Sequence, residues 1–508
     1  MTLQEESVNY NLMYLPSLSE FKKIARAGFL IPIYREIMGD LETPVSAFLK
    51  ISQGEKGEFL LESVEGGEIL GRYSFIGFSP RLVFRVKEGV FEIEEREEKI
   101  EKGVTKEPLQ VLKNILEKFP PLQINSLPRF FGGAVGYISY DSIRYWEEIP
   151  RRKEDTLNLP DMEFFITDRV IIFDHVENKI KVMADVPILK DDSYYLEKAY
   201  EEAVKKIEEV IETLRKPLKH PVEILKGEIE EPISNFSPSS FMKAVEKCKK
   251  YIRAGDIFQV VISQRWSIPV TSPPFHIYRA LRSLNPSPYM FYLNFGKFQL
   301  IGSSPEILVR KEGRKVILRP IAGTRPRGKN EREDSKLEKD LLKDPKELAE
   351  HIMLVDLGRN DLGRICDYGS VKVKELMVIE RYSRVMHIVS HIEGKLRKDA
   401  DQFQVLRASF PAGTVTGAPK IRAMEIIEEL EPEERGPYAG AVGYFSYTGN
   451  LDSCITIRSI LLKDGKAFLQ AGAGIVADSL PEREYEETEN KAKALREAVR
   501  LAEKGLEP

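Results

Sequence analysis

Apolar and polar residues alternate over short stretches in the first 190 positions. FLLES, RLVFRV and RVIIFDHV read as strands separated by glycine-containing turns. From 196 to 232 the pattern changes. A charged helical run, LEKAYEEAVKKIEEVIETLRK, leads into PLKHPVEILKGEIEEPISNFSPSS, whose four prolines and scattered charge predict a solvated connection. We place a boundary there, between an N-terminal region, 1–230, and a C-terminal region, 231–508. The second region opens with a helix capped by Ser239 or Ser240 and ended by Gly255, followed by the strand DIFQVVISQRWSIPV. FYLNF, FQLIG, EILVR and KVILRP then predict four short strands of one antiparallel meander, turning at GK and EGRK. RPIAGTRPRG, 319–328, reads as the loop that leaves the last of them, because its glycines and prolines interrupt strand and helix alike. No internal repeat or low-complexity tract appears, so the class is α+β, with antiparallel sheets and packed helices.

Two later helices carry the clearest chemical pattern. In DPKELAEHIMLVDLGRND, Asp344 is a good N-cap and Pro345 a good first residue, which places Glu347, Glu350 and His351 on one face. In SLPEREYEETENKAKALREAV, with Ser479 as cap, the same arrangement puts Glu484, Glu487 and Lys491 together. Two facing glutamate pairs supply oxygen ligands, direct or through water, for Mg²⁺. Glu347 at the N3 position of a capping box, and charged faces that are merely solvated, explain the same spacing equally well. AGAGIVADS, 471–479, sets glycines into an apolar strand, either as a bulge or to let backbone N–H groups approach a ligand. Arg458 in ITIRS reads as a strand residue needing an anionic partner, within the protein or bound to it. VMHIVSHIEG places His387 and His391 on one strand face.

Composition excludes several classes. The 508 residues are 42% hydrophobic and 31% charged, which suits a globular chain with ample core. Basic and acidic residues nearly balance, to a formal net charge of −4, and no basic stripe interleaved with aromatics marks a nucleic-acid surface. Cys248, Cys366 and Cys454 have neither metal nor disulfide spacing, which points to a reducing cytoplasm. The start carries acids where a secretory signal carries bases, and no apolar run approaches the roughly eighteen residues of a membrane span.

GSSPE, RPIAGTRPRG, ELAEHIMLVDLGRNDLGR, SRVMHIVS, PAGTVTGAPK, GAVGYFSYTGNLDSCITIRS, QAGAGIVADS and EETENKAKAL, in that order, resemble the chorismate-binding enzyme family. The likeness is dense over about 236–505 and sparser over about 28–190. It implies antiparallel sheets packed as a two-layer sandwich with helices outside. It further implies that Glu350 and Glu487 hold Mg²⁺, with Glu347 and Glu484 acting through water. Gly323 and Thr324 lie beside the chorismate ring. Tyr438, Arg458 and the backbone at Gly472 and Gly474 take the enolpyruvyl carboxylate, and Lys491 supports them. Glu306 becomes the general acid for the C4 hydroxyl, with His387 facing the ring.

Two positions select the branch. Water-adding members of the family carry a lysine base where this chain has Gln259, and some members that form aminodeoxychorismate for folate carry a lysine where it has Ala322. The resemblance therefore implies that chorismate and ammonia become anthranilate and pyruvate, through aminodeoxyisochorismate. The folate branch without its lysine, or an amino-acid sensor on the same fold, are the alternatives; a sensor would be expected to have lost Glu306, a metal glutamate or Arg458. No cysteine sits in a glycine-flanked nucleophile turn, so ammonia is expected to come from a separate glutamine amidotransferase subunit in a hetero-oligomer. Glu62, Ser63, Pro288, Tyr289 and Met290 resemble the family's tryptophan feedback site, although each segment alone reads as an ordinary strand end or turn.

Overall fold

A computed structural model describes residues 14–64, 71–95, 98–122, 127–218, 230–382 and 385–506. Their strands form two antiparallel sheets of twelve strands each. In the first sheet, Phe59–Glu62 joins the strands that precede residue 230 to those that follow, by pairing with Tyr289–Asn294. In the second, Gly133–Ile138 does the same by pairing with Ala441–Ser446. Each sequence region therefore supplies one block of both sheets, and one ladder per sheet connects the blocks. Much of the connection proposed between the regions, 219–229, lies outside the described residues.

The sheets stack face to face, as the expected sandwich. Phe75 of the first sheet meets Phe130 edge-on at 5.2 Å, and Phe295 lies 4.8 Å from Phe165 of the second. Such ring pairs each add about 0.5–1.5 kcal/mol beyond the area they bury. Helices cover the outer faces; Pro481–Glu503 buries Ala492, Leu495 and Val499 in one apolar cluster with Trp266 and Leu469. Among the described residues no helix is long and apolar enough to cross a membrane, and all three cysteines are buried and free.

The elements that carry the site are, in chain order, β1 (Phe59–Glu62), β2 (Gln259–Pro269), β3 (Tyr289–Asn294), β4 (Phe298–Ser304), β5 (Ile307–Glu312), β6 (Ile321–Pro326), β7 (Val385–Lys395), β8 (Leu451–Ile455) and β9 (Lys466–Ile475). Helices α1 (Pro345–Gly363) and α2 (Pro481–Glu503) complete them. The expected four-strand meander is instead split. β3 and β4 belong to the first sheet, and β5 belongs to the second. The chain crosses at Pro305 and Glu306, where proline offers no N–H to a ladder and the Ser304 hydroxyl ties the crossing to the Ile455 carbonyl at 2.7 Å.

RPIAGTRPRG is also not a loop throughout: β6 pairs with β7, and its register slips between Ala322 and Thr324, where Gly323 has φ +74°. The slip accommodates the glycine that masks the strand in sequence. Two caps differ as well. Ser237 caps the helix that ends at Gly255, and α2 begins after Leu480 without a side-chain cap, because the Ser479 hydroxyl accepts from Val476 N instead.

Candidate active site

The floor of the site is the β2–β9 ladder, in which Val261 faces Gly474 and Ser263 faces Gly472. A Cβ on Gly474 would lie 2.5 Å from Gln259 Nε2, and one on Gly472 would lie 3.0 Å from the Tyr438 hydroxyl. Both glycines therefore leave space at the cleft that any larger residue would fill. Lys491 crosses above this floor. Its ammonium donates to the Gly472 carbonyl at 2.9 Å and pairs with Glu487 at 2.7 Å. Arg458 donates to the Lys491 carbonyl at 2.9 Å.

Helices α1 and α2 bring their glutamates to the same cleft. Burial raises the Glu350 carboxyl above the usual range, and nearby Glu347 and Glu487 raise it further against the opposing field of Lys491. Gln259 Nε2 donates to Glu350 Oε1 at 3.4 Å. Glu484 is likewise raised, first by burial and then by Glu487. Glu347 and Glu487 both act on Glu350, and Glu487 acts on Glu484, so an added cation between the two helices would relieve repulsion. Among the described residues no three carboxylate, histidine or cysteine groups converge tightly enough to hold an ion unaided. Mg²⁺, which takes one or two carboxylates and fills its remaining positions with water and substrate, does not require such a cluster.

Glu306 lies at the sheet crossing and is only 7% exposed. Burial pushes its carboxyl up to about 8, with Thr414 and Lys491 acting weakly the other way, so at neutral pH it carries a proton to give. On the opposite wall, His387 Nδ1 lies 3.0 Å from the Thr324 hydroxyl and 3.2 Å from the Gly323 carbonyl. A carbonyl only accepts, so Nδ1 carries the hydrogen and Nε2 keeps its lone pair. Burial, with Arg458 nearby, lowers the His387 pKa, which keeps the ring neutral.

The geometry revises several sequence readings. Arg458 is not in a strand; it lies in the link between β8 and Ser459–Lys463 with φ +51°, a left-handed turn that the sequence gives no glycine to announce. Asp344 caps α1 through the Lys346 and Glu347 amides, without a capping box, and the Glu347 carboxylate faces Arg325 at 3.4 Å. The arginines of 319–328 are already paired: Arg325 with Asp340 and Asp344, Arg327 with Asp334, and Arg319 with Glu380. They shape the loop and place Glu347. Sequence reasoning missed Thr414, beside Glu306; its motif PAGTVTG was visible but offered no chemistry of its own.

Glu62, Ser63, Pro288, Tyr289 and Met290 line a second cavity, partly open to solvent, where the two blocks of strands meet. Glu62 is fixed there by Arg282 at 2.9 Å and by Tyr278. Tyr289 donates to Asp452 at 2.9 Å.

Comparison with known proteins agrees with this geometry. The model of the family described as chorismate binding enzyme matches residues 90–497. An anthranilate synthase component 1 of Acetivibrio thermocellus is 50% identical, covering 96% of this chain and 99% of the relative. One from Aquifex aeolicus is 49% identical over 98% and 100% of the two chains. The crystal structure of anthranilate synthase component I from Streptococcus pneumoniae superposes with a TM-score of 0.75 at 40% identity, covering 91% of this chain and 99% of that one. The chain belongs to the chorismate-binding enzyme family.

Proposed function

We propose that this chain has the activity named in those relatives, converting chorismate and ammonia to anthranilate and pyruvate. Gln259 carries the choice among family reactions. It occupies the position of the lysine that activates water in water-adding members, and its amide donates to Glu350. An amide is no base, so water is not activated, whereas neutral ammonia already has its lone pair. Ala322 supports the same reading, since it cannot attack C2 as a lysine would.

The chain's residues divide the work by charge. Arg458, Tyr438 and the backbone at Gly472 and Gly474 hold the enolpyruvyl carboxylate, with Lys491 fixing Gly472 from behind. Glu350 and Glu487 would hold Mg²⁺, with Glu347 and Glu484 reaching it through water. The ion, when bound, neutralises the ring carboxylate and withdraws electron density from the ring. Glu306 donates its proton to the C4 hydroxyl, which leaves as water while ammonia adds at C2. Loss of pyruvate and of the C2 proton then restores aromaticity, with Thr324 and His387 against the ring. We further propose that ammonia is delivered in a cytoplasmic hetero-oligomer by a glutamine amidotransferase subunit, and that tryptophan binds the second cavity as a feedback inhibitor. The purified chain tests this directly: it forms anthranilate from chorismate with ammonium salts at alkaline pH and forms none from glutamine. Product from glutamine without a partner would refute the division of labour.

A further inference from the structure

Beside Glu306 lies a third cavity. It is partly open to solvent and is lined by Glu306, Arg319, Asp361, Ser409 and Thr414 among apolar residues. The proposed reaction uses the Glu306 carboxyl and gives no role to Asp361, Arg319 or Ser409 in the same lining. One polar atom of its lining, Arg319 Nε, is buried without a hydrogen-bond partner in the protein, and the Thr414 hydroxyl lies within reach of the Glu306 carboxyl. Buried polar atoms of that kind are normally satisfied by ordered water, and a polar chamber is where such water resides.

The far wall is built around an ion pair. Asp361 on α1 is 7% exposed, and Lys420 donates to both its oxygens, at 3.1 and 3.0 Å. Lys420 opens a helix, Lys420–Leu430, and its side chain is partly exposed to solvent. The charged groups facing this chamber are few. Asp361 feels Lys420 and Arg364, Glu306 feels Lys491, and Arg319 is held by Glu380. Burial raises the carboxyls of both Asp361 and Glu306, so each binds a proton more readily than an exposed acid.

The geometry points to Asp361, with Lys420, as the group that returns a proton to Glu306 through water in this chamber. The inference rests on the proposed reaction. In each turnover Glu306 gives its proton to the C4 oxygen, the C–O bond breaks with its electrons, and water departs, leaving a carboxylate. A proton from the Asp361–Lys420 pair, replenished from solvent, passes along the water to that carboxylate. The proton shed by the added ammonia goes back to solvent, so the cycle balances. Asp361 is a positioning and relay residue and does not touch substrate.

The test measures ammonia-dependent turnover in the parent chain, Asp361→Asn and Ala412→Val. Ala412 also lines the chamber, and a larger side chain there displaces water while leaving the ion pair intact. Slow proton return lowers kcat about tenfold or more, within the range general acid–base steps contribute. It leaves KM for chorismate unchanged, enlarges the solvent deuterium isotope effect on kcat, and is partly reversed in Asp361→Asn by added formate. A structural ion pair predicts a lower melting temperature with the isotope effect unchanged. An unchanged isotope effect in both variants overturns the relay; if Asp361→Asn does not fold, Ala412→Val decides alone. A parent chain that makes no anthranilate overturns the underlying reaction instead, which separates the two failures.

Discussion

Tyr289 and Ser304 are direct cross-strand partners on β3 and β4, so a residue lining the second cavity sits across the ladder from one that lies two positions before Glu306. Met290 pairs with Ser303 on one side and Glu62 on the other. On β8, Cys454 lines the second cavity while its neighbour Ile455 lines the chamber beside Glu306. A ligand in the second cavity therefore acts on the same two strands that hold the acid.

For feedback, this arrangement predicts that tryptophan raises the chorismate requirement and that chorismate weakens tryptophan binding by the same factor, as linkage demands. Ser63→Ala or Met290→Thr relieves inhibition with little change in uninhibited turnover. Calorimetric titration of tryptophan with and without a chorismate analogue checks the reciprocity. Equal affinity in both conditions would remove the coupling.

Glu306→Gln is expected to abolish turnover and to stabilise the fold at neutral pH. The unfolded carboxyl titrates near 4.5 and the folded one at about 8. The folded chain therefore binds more protons between those values, and stability falls as pH rises through that window. At about 1.4 kcal/mol per unit, the penalty is on the order of 4 kcal/mol by pH 8 and absent below pH 4.5. Thermal melts of parent and variant at pH 5 and pH 8 check this. A variant that gains no more at pH 8 than at pH 5 contradicts the buried acid.

Lys491→Met separates two roles of one side chain. The ammonium lowers the Glu306 pKa and fixes Gly472, so its removal moves the alkaline limb of the kcat profile to higher pH while reducing kcat. A limb that stays in place, or moves down, would show that Lys491 does not act on the acid.

Glu350→Gln and Glu487→Gln are expected to lose Mg²⁺-dependent turnover without losing stability, because the first removes a buried carboxyl crowded by Glu347 and Glu487 and the second changes only an exposed ion pair with Lys491. Chelation of the parent by EDTA gives the same loss, restored by added Mg²⁺.

Much of this site was legible in the chain because helical spacing is local. Glu347 with Glu350, and Glu484 with Glu487, follow from period alone once Pro345 and Pro481 mark the helix starts. What brings the two helices together is long-range and has no local signature. Glu306 lies at a crossing between sheets, and a meander read strand by strand cannot show which sheet each strand joins. Arg458 adopts a left-handed backbone without being glycine, and Gly323 hides a strand by allowing a register slip. The partners of the arginines in the 319–328 segment, from Asp334 to Glu380, are acids beyond the segment that no local pattern announces. Only the resemblance of eight ordered motifs connected these pieces before the geometry did.

The most direct test of the central reading is the stoichiometry of products from chorismate with ammonia and Mg²⁺, using the purified chain alone. Anthranilate and pyruvate are expected in equal amounts, with no accumulation of a water adduct. Isochorismate, or an amino product that retains its enolpyruvyl group, would contradict the roles given to Gln259, Ala322 and Glu306.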